Sequence, residues 1–288
     1  VNRFTGFLAL AALMSGAGAA RADQASVWAG IAPYGTLVGR VAGERAEVAT
    51  LVGRGGNPGT FAPRPKQVRR LASASVYFAS GLPFEARLRS KIASVAPEVA
   101  WIDLAGEHGA EDGDASDHGD ERGAHEHGTH PWMDPGRVAG QCARIAEALA
   151  RIDPEGAAAY RANARRLRED LRALDRAIAE RLGPYAGRAF FINHPSLGSF
   201  AEAYGLRQVA IEREGKRPSM KRVRELMEAA REAGARTVFA QASFGRTSAR
   251  TLAKAIEAEV VEVDPLAPDY FANLRRIAEA VAASFGPP

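Results

Sequence analysis

One long amphipathic segment divides this chain into two runs of alternating strand and helix, and that arrangement excludes most folds. The segment opens at Pro154, after the cap-like Asp153, and continues to about Leu182, where Gly183-Pro184 stops it. Its apolar positions, Tyr160, Ala164, Leu167, Leu171, Leu174 and Ile178, recur by threes and fours, as one buried helix face requires. At 1.5 Å rise per residue it spans about 42 Å. The other faces carry Arg165–Glu169, Arg166–Asp170 and Arg176–Glu180 pairs at i,i+4, which is a solvated surface and not a binding patch.

Before it, short apolar runs at 26–31, 46–52, 75–79 and 99–103 read as strands, with helices over 34–42, 65–72, 84–94 and 135–152. After it, strands fit 188–192, 207–211, 237–240 and 259–263, and helices fit 197–204, 219–233, 247–258 and 269–284. Strands alternating with covering helices predict parallel sheets. The expected fold is therefore α/β, with two lobes, each a parallel sheet covered by helices, joined by a single long helix. The boundaries fall at 23–152 for the first lobe, 153–183 for the linking helix and 184–288 for the second lobe.

Residues 1–22 read as a secretory signal peptide. Arg3 supplies the positive start, residues 7–14 the short apolar core, and Ala20-Arg21-Ala22 the small-x-small cleavage site. Export to the periplasm follows as an expectation. The formal net charge is +4, and the arginines are scattered without interleaved aromatics, so no nucleic-acid footprint is predicted. Cys142 is the only cysteine and shares an apolar helix face with Val138, Ile145 and Leu149, as a buried inert thiol does.

Function is most visible in residues 107–130, EHGAEDGDASDHGDERGAHEHGTH. This tract holds five of the six histidines (His108, His118, His125, His127 and His130) and eight carboxylates against Arg122, with no large apolar side chain. It cannot bury enough surface to offset its ordering entropy, so a mobile loop is expected. Its composition is that of a metal-collecting segment, best suited to zinc.

Three residues stand where a cleft between the lobes would lie, since ligands of such sheets bind outside the carboxyl ends of the strands. His194 follows the strand at 188–192, Asp264 follows the one at 259–263, and His130 lies in the loop system after 99–103. Two imidazole nitrogens and one carboxylate oxygen suit zinc better than manganese, which prefers more oxygens. A metal there would bridge the lobes and couple binding to closure.

Here the sequence resembles a known family. His130-Pro131-Trp132-Met133-Asp134-Pro135 is similar to its H-x-W-L/M-D-P motif, and Asn193-His194-Pro195 with Phe200 and Tyr204-Gly205-Leu206 to its second histidine segment. Gly215-Lys216-Arg217-Pro218-Ser219 resembles its G-K-x-P-S turn, and Val263-Asp264-Pro265-Leu266 with Tyr270 its D-P-L…Y segment. The family is the periplasmic zinc/manganese solute-binding proteins of ABC importers, and the histidine-rich loop marks the zinc type (cluster A-I). The resemblance implies His130, His194 and Asp264 as metal ligands, a zinc ion as cargo, an ABC permease and ATPase as partners, and a monomer. His108, His118, His125 and His127 are auxiliary loop ligands in this reading.

The chain departs from the family in one place. The family's P-H-x-Y/F-E-P-x-P segment reads Pro58-Gly59-Thr60-Phe61-Ala62-Pro63-Arg64-Pro65 here, so Gly59 stands at the histidine position. Water or a loop imidazole fills the gap in this reading, ahead of Glu212 or Glu85, and restoring a histidine at 59 is expected to raise affinity. Two alternatives share the same composition: a periplasmic zinc buffer or chaperone without a permease, and a manganese-binding relative. A zinc hydrolase is disfavoured, because neither H-E-x-x-H nor G-x-S-x-G occurs.

Overall fold

A computed structural model describes residues 25–53, 55–106, 130–212 and 218–287, apart from the side chain of Ala242. The signal peptide, His108, His118, His125, His127 and residues 215–217 of the G-K-x-P-S turn lie outside the described residues.

The first sheet is built from β1 (Val27–Ile31), β2 (Val48–Val52), β3 (Val76–Ala79) and β4 (Ala100–Asp103) in the order β2-β1-β3-β4, all parallel. Helices α1 (Ala32–Ala42), α2 (Pro65–Leu71) and α3 (Pro83–Val95) connect these strands, and α4 (Pro135–Ile152) follows them. The long helix α5 (Ala157–Leu182) leads into the second sheet, β5 (Ala189–Ile192), β6 (Arg207–Ala210), β7 (Thr237–Gln241) and β8 (Glu259–Val263), in the order β6-β5-β7-β8. Helices α6 (Gly198–Ala203), α7 (Met220–Glu232), α8 (Thr247–Ile256) and α9 (Tyr270–Ser284) complete the lobe. The predicted α/β class and the parallel sheets are both present. The central strands β1, β3 and β5 are buried at every residue, whereas the edge strands β4 and β6 are half-covered, as sheets with helices on their faces demand.

The long helix starts later than Pro154. Residues Pro154–Gly156 form a single 3-10 turn first. Asp153 holds that turn: its carboxylate accepts from Gly156 N, from the Tyr160 hydroxyl and, in a two-point pair, from Arg45. A β-carbon at Gly156 would stand 2.4 Å from Arg45 Nε and 2.6 Å from the Tyr160 ring, so glycine is required there by close approach. Downstream, Tyr160, Ala164, Leu167, Leu171, Leu174, Ile178 and Leu182 are all buried, as the spacing predicts. Cys142 is buried in α4 as well, and burial pushes its thiol up to about 11.

The lobes do not have separate interiors. One hydrophobic cluster runs from Ile31, Tyr77 and Trp132 through Leu171 and Ile178 to Ile192, Phe200, Phe239 and Leu274. A smaller cluster, including Phe191, Leu226, Val238 and Leu252, sits under α7 and α8 on the second sheet. Helix α9 returns to pack along α5 and touches α1. Thr36 of α1 donates to Pro268 O at 2.6 Å, and the Arg40 guanidinium lies 4.6 Å above the Phe271 ring. A shared core and these bridging contacts fix the relation of the lobes, since packed interiors transmit strain and do not deform smoothly. A metal held by both lobes, expected from the sequence to couple binding to closure, would join lobes already linked by these contacts. Among the described residues no helix is long and apolar enough to cross a membrane.

Candidate metal centre

In each sheet the chain leaves the two central strands in opposite directions, opening a crevice at their carboxyl ends. In the second sheet that crevice lies between β5 and β7. Asn193, fully buried just after β5, pins it: its Nδ2 donates to Gly245 O at 2.7 Å and its Oδ1 accepts from Gln241 N at 2.9 Å. The adjacent residue is His194, whose ring stacks on Phe244 from the loop after β7, with centroids 3.6 Å apart and planes at 9°.

From the first lobe, the 3-10 turn Pro131–Met133 brings His130 to the same place. The His130 and His194 rings lie 5.7 Å apart, centroid to centroid, at 76°. A zinc at about 2.0–2.1 Å from a ring nitrogen is about 3.2 Å from that ring's centroid, so two imidazoles on one tetrahedral ion stand about 5.2 Å apart. The observed separation of 5.7 Å is close to that value.

Both imidazoles are electrically prepared for a cation. Burial pushes His130 down to about 3, with the neighbouring His194 adding to the effect, and burial pushes His194 down to about 4. Both are neutral at pH 7, the protonation state in which an imidazole binds a metal. Among the described residues, His194 Nδ1 is a buried polar atom with no hydrogen-bond partner. An imidazole nitrogen in this state is able to accept a metal ion.

These values revise the expected pH dependence. An unperturbed histidine titrates near 6.5, and the sequence alone predicts weakening of metal binding below that pH. In the folded chain burial holds both imidazoles neutral well below pH 6.5, so if they ligate the metal, proton competition at these two rings should leave affinity flat between pH 7 and about 5. Folding stability behaves differently. The unfolded chain takes up protons at these positions below about 6.5 and the folded chain does not, so stability falls as pH drops from about 6.5 toward 4. Metal competition titrations and thermal melts across this range separate the two effects.

Asp264 comes to the neighbourhood through its backbone. Trp132 Nε1 donates to Pro265 O at 2.9 Å, and the Tyr270 hydroxyl donates to Trp132 O at 2.7 Å. The segment carrying His130 is thereby fastened to the one carrying Asp264. The Asp264 carboxylate itself accepts from Leu266 N at 3.0 Å and lines a surface pocket with Glu262, Asp269, Asn273 and Arg276. Among the described residues no three His, Cys, Asp or Glu side chains stand close enough together to hold one ion. The structure thus brings the two imidazoles near each other and leaves the Asp264 carboxylate engaged with its own loop.

Both carboxylates considered for the place of Gly59 have hydrogen-bond partners of their own. Glu85 is buried and accepts from the Tyr77 hydroxyl and from Ser80 N and Leu82 N, and burial raises it to about 7. Glu212 accepts a short hydrogen bond from Ser248. Three contributors are not apparent from the sequence reading: the Asn193 clamp, the Trp132 tether and the Phe244 stack. Asn193 had a signal in its position directly before His194 at a strand end. Phe244 had none, because its role depends on the register of β7 against β5.

Two parallel four-stranded sheets joined by one long helix are the two-lobed architecture of solute-binding proteins. The chain belongs to the family described as zinc-uptake complex component A, periplasmic, whose model matches residues 27–284. Among curated proteins it is similar to the high-affinity zinc uptake system protein ZnuA of Paracoccus denitrificans, at 29% identity, with 81% of each chain covered. It is also 29% identical to a metal-binding protein of Chlamydia muridarum, over 90% of this chain and 91% of that one. Among solved structures, a crystal structure of ZnuA superposes with a TM-score of 0.81 at 30% identity, covering 92% of this chain and all of the other. A ZnuA deletion mutant with zinc bound gives 0.80 at the same identity and coverage.

Proposed function

We propose that this chain captures zinc outside the cytoplasm through His130 and His194, with Asp264 as the third protein ligand, and delivers it to an ABC importer. The carrying observation is the pair of neutral imidazoles, one from each lobe, His130 buried and His194 half-buried, 5.7 Å apart. The Trp132–Pro265 bond ties the Asp264 segment to the His130 segment, and in this reading the Asp264 carboxylate gives up its bond to Leu266 N and turns to the ion. Family membership supports zinc as the cargo. An imidazole-rich shell supports zinc over manganese.

The same reading assigns a cleaved signal peptide, a periplasmic location, a monomer, and a permease and ATPase as partners. It assigns no catalysis, since capture and release need only reversible binding. The histidine-rich tract (His108, His118, His125 and His127) gathers further ions more weakly. The test is a zinc titration against a competing chelator, with and without residues 107–127. One tight site should survive the deletion while the weaker ions disappear. Loss of the tight site on deletion would mean that a tract imidazole belongs to it. Manganese bound more tightly than zinc would overturn the assignment of cargo.

A further inference from the structure

The Gly59 position raises a question that family membership does not answer, namely what occupies the side of the site that a ligand at 59 would reach. Gly59 lies in a loop of the first lobe, and its own backbone permits a side chain, since its φ is not in the left-handed region. Asn57 fixes this loop from both directions. Its Oδ1 accepts from Gly59 N at 2.8 Å, and its Nδ2 reaches across to Ser243 O in the second lobe at 3.2 Å. The loop is therefore fastened to the residue immediately before Phe244.

A β-carbon built on Gly59 would meet Asn57 Oδ1 at 3.2 Å, a tight contact, and Phe244 Cε1 at 3.9 Å, an ordinary one. The Phe244 ring thus touches the position that a side chain at 59 would occupy. The other side of this arrangement is His194, against which the same ring lies flat. Metal ligation by an imidazole takes place in the plane of its ring, so a stacked phenyl covers a face of His194 without competing for the ion. An apolar wall beside a metal also limits access of water and other ligands.

We propose that Phe244 is a specificity-determining residue of the metal centre: it walls off the flank of His194 next to Gly59, and so limits the number of protein ligands and the rate at which the ion leaves. The inference rests on the reading that His130 and His194 hold zinc. It changes the expectation for Gly59→His. A histidine added at 59 with Phe244 in place is blocked from the ion, and it gains access only once the ring is gone.

The test is a double-mutant cycle on the full chain, with zinc affinity measured by chelator competition and zinc release measured into excess chelator. Gly59→His alone should leave affinity within about twofold of the parent, the scatter of non-interacting changes. Phe244→Ala alone should speed release by about tenfold, the lower range for losing a supporting group around a metal. Gly59→His added to Phe244→Ala should tighten binding by at least about tenfold over Phe244→Ala. Phe244→Leu keeps apolar volume without the stack and should follow the alanine variant in direction, which guards against a folding defect. Equal gains from Gly59→His in both backgrounds, or parental release from both Phe244 variants, would overturn the inference. The parent chain is the discriminating arm: if it binds no zinc tightly, the functional reading itself has failed, before Phe244 is at issue.

Discussion

Replacing His194 by alanine is expected to weaken zinc binding by at least about 100-fold, because loss of a group that merely supports a metal ligand already costs 10–100-fold. His130→Ala should do the same. The fold should survive both changes. His194 is only partly buried and makes no side-chain hydrogen bond among the described residues, and removing two histidines whose neutral form is enforced by burial relieves a desolvation cost at low pH. Affinity lost with an unchanged melting temperature of the metal-free protein is therefore the signature of a ligand. A melting temperature that falls in step with affinity would point to a structural histidine. Chelator competition and thermal melts on the same samples decide between these outcomes.

Trp132→Ala should have the largest effect on stability. The side chain is fully buried, packs edge-on against Tyr34 at 6.3 Å and carries the bond to Pro265 O that joins the two lobes. Truncating a buried tryptophan costs about 3–5 kcal/mol through lost packing and an unfilled cavity. In a chain of this size each kcal/mol lowers the melting temperature by about 2–4 °C, so a fall of roughly 6–20 °C is expected. Trp132→Phe isolates the tether. It keeps most of the volume but leaves Pro265 O without its donor, which costs about 1–3 kcal/mol if the carbonyl stays dry. Because His130 and Asp264 flank the two ends of this bond, zinc affinity should fall in Trp132→Phe as well. Affinity equal to the parent would show that the tether serves only stability.

The fold was legible because its signals are local. Short apolar runs bounded by turns gave every strand within a residue or two, and the three-four spacing from Tyr160 to Ile178 gave the buried face of α5. The start of α5 was misplaced, since the competing use of Asp153, held by Arg45 from over a hundred residues away, is not a local signal. The shared core was equally hidden. Alternating strands and helices suggest two lobes, yet nothing in the sequence of α9 says that it returns to α5 and α1.

The site divides along the same line. His130 and His194 could be placed at strand ends and in motifs, and the fold brings them together. Whether Asp264 would point at them or bond its own loop depends on side-chain rotation, which spacing does not encode. Phe244 escaped notice because its partners, Gly59 and His194, come from different lobes. The missing family histidine at Gly59 was visible in the sequence, but the phenyl ring beside that position was not.

The most direct measurement is a crystal structure of the zinc-loaded chain with anomalous scattering collected at the zinc edge. The account predicts one strong peak between the lobes, about 2.0–2.1 Å from a ring nitrogen of both His130 and His194, with an Asp264 oxygen turned away from Leu266 N to complete the contact. A fully loaded chain with its ordered zinc elsewhere, and the two imidazoles bare, would contradict it.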